Sequence, residues 1–259
     1  MREKIGPFVI LMICVQISFF AIMMLFFNLN SHIKYTYVTV IYLVIALLIC
    51  LERKNLNEFN LDRLSLLILI LSSVFRRRLG VENEGYFLFV IGIAGLAVFI
   101  STIPNWTKTP KTDFRWLAIG LFVALLSLIP ITFIESFQVQ TIQNSGPGLY
   151  GLFWDMIRRA IYELSFTAPV EEILFRGFIW GYLRKLKWDV NKIIWVQGAL
   201  FWFLHIGRIR SPLTFFFSVP ILTYISSELT KRSGQVSPSI ISHLIINTIG
   251  SVLLAVQLG

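Results

Sequence analysis

Residues 116–134 read WLAIGLFVALLSLIPITFI, nineteen positions without a charged side chain. At about 1.5 Å of rise per residue such a run makes a helix of roughly 28 Å, close to the hydrocarbon thickness of a bilayer. It has no polar stripe of the kind that the surface helix of a soluble domain turns toward water. The rest of the chain has the same character, with 56% hydrophobic and 14% charged residues among 259 and a mean hydropathy of +0.74. These values lie far from those of a soluble globular domain. A segment that crosses lipid must satisfy its backbone internally, so the chain is expected to be all-α, a polytopic bundle of membrane helices.

Working outward, comparable apolar runs occupy residues 7–29, 35–51 and 85–103. The second half is expected to hold shorter or polar-interrupted helices at 152–168, 170–186, 193–206, 213–229 and 239–258, for about eight spans in all. Residues 64–75 are too short to span comfortably and run into Arg76, Arg77 and Arg78, which predicts an interfacial or re-entrant segment. Arg2 and Lys4 before the first run resemble a signal peptide, but its length and the lack of an A-x-A-like site predict a retained first span. Residues 1–150 then form the N-terminal helices and 151–259 the functional core of one integral membrane domain, multi-pass, in the cell membrane if the source is prokaryotic. The +9 net charge gathers at segment ends, as in Arg184, Lys185, Lys187, Lys192, Lys231 and Arg232. Topology and anionic lipid explain that placement, so the bilayer and not nucleic acid is the expected partner. Basic groups flank both ends of the run at 85–103, so charge counting assigns no orientation. Cys14 and Cys50 fall within apolar runs and predict neither a disulfide nor a metal site.

Against this background the ionisable residues of the second half stand out, because a charge at mid-membrane costs about 2.5 to 3.5 kcal/mol. Pro169-Val170-Glu171-Glu172-Ile173-Leu174-Phe175-Arg176-Gly177 is one such stretch. Pro169 suits the first turn of a helix, which would put both glutamates near a positive helix end. Glu172 and Arg176 are i,i+4 and can pair, while Glu171 lies about 100° round the helix and is free to face a cavity. Gly177 and Gly181 allow another helix to approach closely. On a second helix Phe201 and His205 share a face, as do His243 and Asn247 on a third. A carboxylate base, an imidazole that helps hold water and two donors for a developing oxyanion make a hydrolytic site for an amide bond. Taken singly each piece has a plainer reading: a structural ion pair, packed histidines, Asn247 as interhelical glue. Glu135 and Glu228 lie near segment ends and are expected to be solvated, and His32 needs no function. The conjunction favours a site, since two of the three histidines and the adjacent glutamate pair fall in these motifs.

Glu-Glu-x-x-x-Arg, Phe-x-x-x-His and His-x-x-x-Asn, in this order on late hydrophobic helices, resemble the CPBP intramembrane proteases. That family comprises CAAX prenyl endopeptidases and bacteriocin-processing or self-immunity (Abi-like) enzymes. The resemblance covers roughly residues 165–249 and includes Ser233-Gly234-Gln235-Val236-Ser237-Pro238 ahead of His243. It implies an endopeptidase acting on a protein or peptide at the membrane. Glu171 and His205 would activate water, His243 and Asn247 would form the oxyanion hole, and Glu172, Arg176 and Phe201 would shape the site. Family members are often called metalloproteases, which leaves a divalent metal such as zinc on His205, His243 and Glu171 as an alternative to a metal-free water. The chain lacks H-E-x-x-H, G-x-S-x-G, Gly-x-Gly-Asp and a P-loop. The rival readings are a proton-coupled transporter, against which the absence of a repeat between the halves counts, and a non-catalytic immunity or scaffold protein, which should have lost a motif residue.

Overall fold

Among the described residues the apolar runs fold as helices; most of the run at 7–29 lies outside them. The computed structural model describes residues 9–18, 31–75, 85–137 and 149–257, and among the described residues there is no strand. The first half contributes α1 (Val9–Ser18), α2 (Ser31–Glu52), α3 (Arg63–Phe75), α4 (Gly85–Thr102) and α5 (Phe114–Ser136). The second half contributes α6 (Leu149–Tyr162), α7 (Ala168–Glu172), α8 (Trp180–Lys185), α9 (Val190–Leu204), α10 (Val219–Ser233) and α11 (Ser237–Gln257). The protein is an all-α membrane helix bundle. Two stretches, Gly85–Asn105 and Phe114–Ser136, are long and apolar enough to cross a bilayer by themselves. Their outer faces carry large apolar side chains, Phe89, Phe122, Ile129 and Phe133 among them, that are more than half exposed. In lipid that exposure carries no penalty.

One buried cluster, from Ile13 and Tyr42 to Phe201 and Ile240, draws on both halves of the chain. The segment expected to be interfacial or re-entrant is α3, and it is packed inside the bundle: Ser65, Leu66 and Leu69 have no exposed surface. Its neighbours fit closely, since a Cβ on Gly95 of α4 would overlap Ser73 Oγ, and the Tyr42 hydroxyl meets Ser72 Oγ at 2.5 Å. The arginines at 76–78 lie outside the described residues.

Buried polar side chains tie three loops together at one end of the molecule. Asp62, fully buried, accepts from the Ser237 N–H at 3.2 Å and from the Thr112 hydroxyl at 2.5 Å. Gln235 accepts from the Asp113 N–H at 3.0 Å and donates to the Lys111 carbonyl at 2.9 Å. This clasp fixes the start of α11 against the starts of α3 and α5. Gly120 completes it, because a Cβ there would lie 2.8 Å from the Pro238 carbonyl oxygen.

Residues 149–185 form one helical run in place of the two separate segments expected from the sequence. Wide turns at Glu163–Thr167 and Ile173–Ile179, with i→i+5 bonding, interrupt it. Pro169 therefore follows a helical turn and does not open a free helix N-terminus, so the helix-end field expected at the glutamates is absent. The partner admitted by Gly177 and Gly181 is a 3₁₀ turn, Leu56–Phe59: a Cβ on Gly181 would sit 2.8 Å from the Glu58 carbonyl oxygen. Backbone cannot yield as a side chain can, so Gly181→Ala should destabilise the fold by about 1 to 3 kcal/mol. Gly92→Ala, where nothing lies within 4 Å, should be neutral or slightly stabilising. Thermal melting of both variants in detergent checks the pair.

Candidate active site

The wide turn at Ile173–Ile179 leaves the Arg176 carbonyl without the partner that an α-helix would supply. Asn60 fills that role, its Nδ2 donating to the Arg176 oxygen at 3.1 Å. Asn60 itself sits in the left-handed region, φ 55°, and its own carbonyl accepts the Val236 N–H at 2.9 Å. The Arg176 side chain is fully buried. Its Nε lies 3.3 Å from Glu172 Oε2, its Nη2 donates to the Thr223 carbonyl at 3.2 Å, and its guanidinium covers the Phe201 ring at 4.4 Å. The predicted i,i+4 pair is present, and it is a deeply buried one.

Phe201 is the hub around which the imidazoles are arranged, 4.6 Å from the His205 ring and 6.1 Å from that of His243. His243 Nδ1 donates to Glu172 Oε1 at 2.8 Å, which leaves Nε2 as the ring nitrogen available to the cavity. His205 is the C-cap of α9 and not an interior helical residue. There the chain turns into a 3₁₀ segment, Ile206–Arg210, and His205 Nδ1 donates to the Phe201 carbonyl at 2.9 Å. A neutral ring so held presents a bare Nε2, and that atom lies 3.9 Å from Glu171 Oε2. Both side chains are about one-fifth exposed. Asn247, one turn beyond His243, donates from Nδ2 to Glu163 Oε2 at 2.9 Å.

Glu163, Glu171, His205, His243 and Asn247 line one cavity of about 500 Å³. Ile131, Leu222 and Ile246 give it an apolar wall, while Glu135, Arg159 and Arg208 add charge. The structure thus brings together four of the expected site residues as cavity lining. Glu172, Arg176 and Phe201 stand behind the wall and do not line it. Glu135, expected to be solvated, faces the cavity. Glu228 pairs with Lys231 at 3.3 Å and Arg232 at 3.1 Å, away from the site.

Sequence reasoning missed Glu163, Arg159 and Arg208. Glu163 had a signal, as a carboxylate in an otherwise apolar segment two helical turns before Glu171. As to a metal, no group of three His, Cys, Asp or Glu side chains is gathered for one among the described residues. His205, His243 and Glu171 do not fit a metal ion in this arrangement, so no step is routed through one.

Neither the curated proteins nor the solved structures compared with the chain contain a match. A family model does match, described as Rce1-like, type II CAAX prenyl endopeptidase Rce1-like, over residues 153–249. The matched stretch begins on α6, takes in Glu163 and runs past Asn247. It covers a little over a third of the chain and includes Glu171, His205 and His243 as well. Residues 153–249 are therefore similar to the Rce1-like type II CAAX prenyl endopeptidases.

Proposed function

We propose that this protein is a multi-pass intramembrane endopeptidase that cuts a CAAX-type peptide anchored at the membrane, using water activated by Glu171. The observation that carries the reading is the facing pair Glu171 Oε2 and His205 Nε2, 3.9 Å apart at the cavity. That separation is too long for a direct hydrogen bond and suits one water donating to both acceptors at about 2.8 Å. The water oxygen attacks the scissile carbonyl carbon as its proton passes to Glu171. When the C–N bond breaks, Glu171 returns the proton to the leaving amine.

The oxyanion formed between these steps needs donors on the opposite side. His243 can supply Nε2–H only as the imidazolium, since its Nδ1 proton is held by Glu172. Glu172 is the counter-ion that such a buried cation requires, and Arg176 in turn balances Glu172. Asn247 adds a side-chain amide one turn along α11, oriented by Glu163. Glu172, Arg176 and Phe201 are on this reading positioning residues. The apolar wall of Ile131, Leu222 and Ile246 suits aliphatic residues beside the scissile bond. The CAAX assignment is taken from the description of the family model.

Glu171→Gln keeps the shape of the side chain and removes the base. Cleavage of an internally quenched, prenylated CAAX peptide by the protein in nanodiscs should then fall by about two to four orders of magnitude. Asn247→Ala should cost about a hundred- to a thousandfold, as for one lost oxyanion donor. Wild-type turnover by Glu171→Gln would remove Glu171 from the chemistry.

The support role of Arg176 is tested by stability. Arg176→Ala strands the Glu172 charge in the core and should lower stability by about 3 to 5 kcal/mol. Glu172→Gln with Arg176→Met lets His243 settle as the neutral imidazole, so no charge is stranded; it keeps an acceptor for the Nδ1–H and should regain most of the melting temperature while remaining inactive. If Arg176→Ala melts like wild type yet has lost all activity, Arg176 acts on the substrate directly.

A further inference from the structure

A second cavity, of about 680 Å³, lies between α9 and α10, away from the site just described. The two helices run antiparallel: Lys231 Nζ reaches Asn191 Oδ1 at 3.5 Å at one end, and Trp202 stacks on Phe215 at 4.9 Å at the other. Small residues open the groove. Gly198 lets Thr223 approach, since a Cβ there would lie 3.1 Å from its methyl carbon, and Ala199 is exposed beside it. Trp195, Tyr224 and Phe216 border it and are 76%, 60% and 51% exposed, so it opens sideways, toward the surroundings of the bundle. Its volume falls in the range of ligand pockets, about 300 to 1,000 Å³.

Length and charge narrow the occupant. From Asn191 to Trp202 the groove runs eleven residues along α9, about 16 Å, which is one leaflet of a hydrocarbon core about 30 Å thick. Only one end is charged. There Lys231 directs its ammonium at Glu228, 3.3 Å away, and at Asn191, and an ammonium has a third N–H to give. Lys192, Lys231 and Arg232 outnumber Glu228 and Asp189 at this end. A basic group at the end of an apolar slot about as long as one leaflet is deep matches a molecule with a phosphate and a hydrocarbon chain.

We propose that this groove binds an anionic glycerophospholipid, with one acyl chain between α9 and α10 and the phosphate on Lys231. The inference needs the membrane reading but not the hydrolytic one. The site also touches the catalytic framework, because Thr223 on its floor is the acceptor for Arg176 and Trp202 lies one turn before His205. A bound lipid would therefore brace the hairpin that holds both.

The test uses the full chain, stripped of lipid in detergent, and reads melting temperature on adding phosphatidylglycerol or phosphatidylcholine. Saturating phosphatidylglycerol should raise it by about 5 °C and phosphatidylcholine by clearly less. Lys231→Gln leaves Glu228 paired with Arg232 and should reduce the phosphatidylglycerol shift to the phosphatidylcholine level. Ala199→Trp fills the slot and should abolish both shifts at an unchanged basal melting temperature. Should that variant fail to fold, the headgroup comparison in wild type and Lys231→Gln decides alone. Equal shifts with both lipids in wild type overturn the proposal, as does a full response in folded Ala199→Trp. A shift with a farnesylated cysteine methyl ester and none with phosphatidylglycerol would make the groove a substrate pocket. A change of oligomeric state in Ala199→Trp would make it a contact between copies.

Discussion

A guanidinium with no exposed surface must find its counter-charge inside the protein, and Arg176 finds Glu172. The pair does more than neutralise itself. Glu172 has a second oxygen, and that oxygen holds His243; Arg176 has a flat face, and that face lies on Phe201, which packs against the imidazoles of both His205 and His243. One ion pair thereby orients residues from three helices. Loss of either partner would leave an uncompensated charge where water cannot reach it, which is why its geometry constrains everything near it.

The backbone is adapted to the same end by departures from regular helix. A wide turn at Ile173–Ile179 frees the Arg176 carbonyl for Asn60, and another at Glu163–Thr167 lies between Glu163 and the glutamate pair. His205 sits where α9 stops. Such turns and ends release backbone groups that must be satisfied elsewhere. Here the Arg176 carbonyl is satisfied by Asn60 in a distant loop, so the site and the loop clasp around Asp62 and Asn60 hold each other in place.

The division between Glu171 and Glu172 follows from position. Neighbours on a helix point about 100° apart. One carboxylate is sealed behind the wall with Arg176, while the next lines the cavity. A sealed charge gives structure; an accessible one can exchange protons with a bound water. In a bilayer the surroundings offer neither group any other partner.

Local pattern alone determined the helical membrane class, the Glu172–Arg176 spacing and the pairing of Phe201 with His205, because helix periodicity relates residues three and four apart. The motifs also carried the family resemblance that the match over residues 153–249 bears out. Only the tertiary structure decided that His243 answers to Glu172, Asn247 to Glu163 and Arg176 to Asn60. Those partners are 71, 84 and 116 positions apart, and no local periodicity connects residues so distant. The same holds for α3, whose length suggested an interfacial or re-entrant segment and whose packing against α2 and α4 no local pattern shows. Wide turns left no mark either, since an extra residue in a helical turn is set by what packs around it and not by the side chains within it.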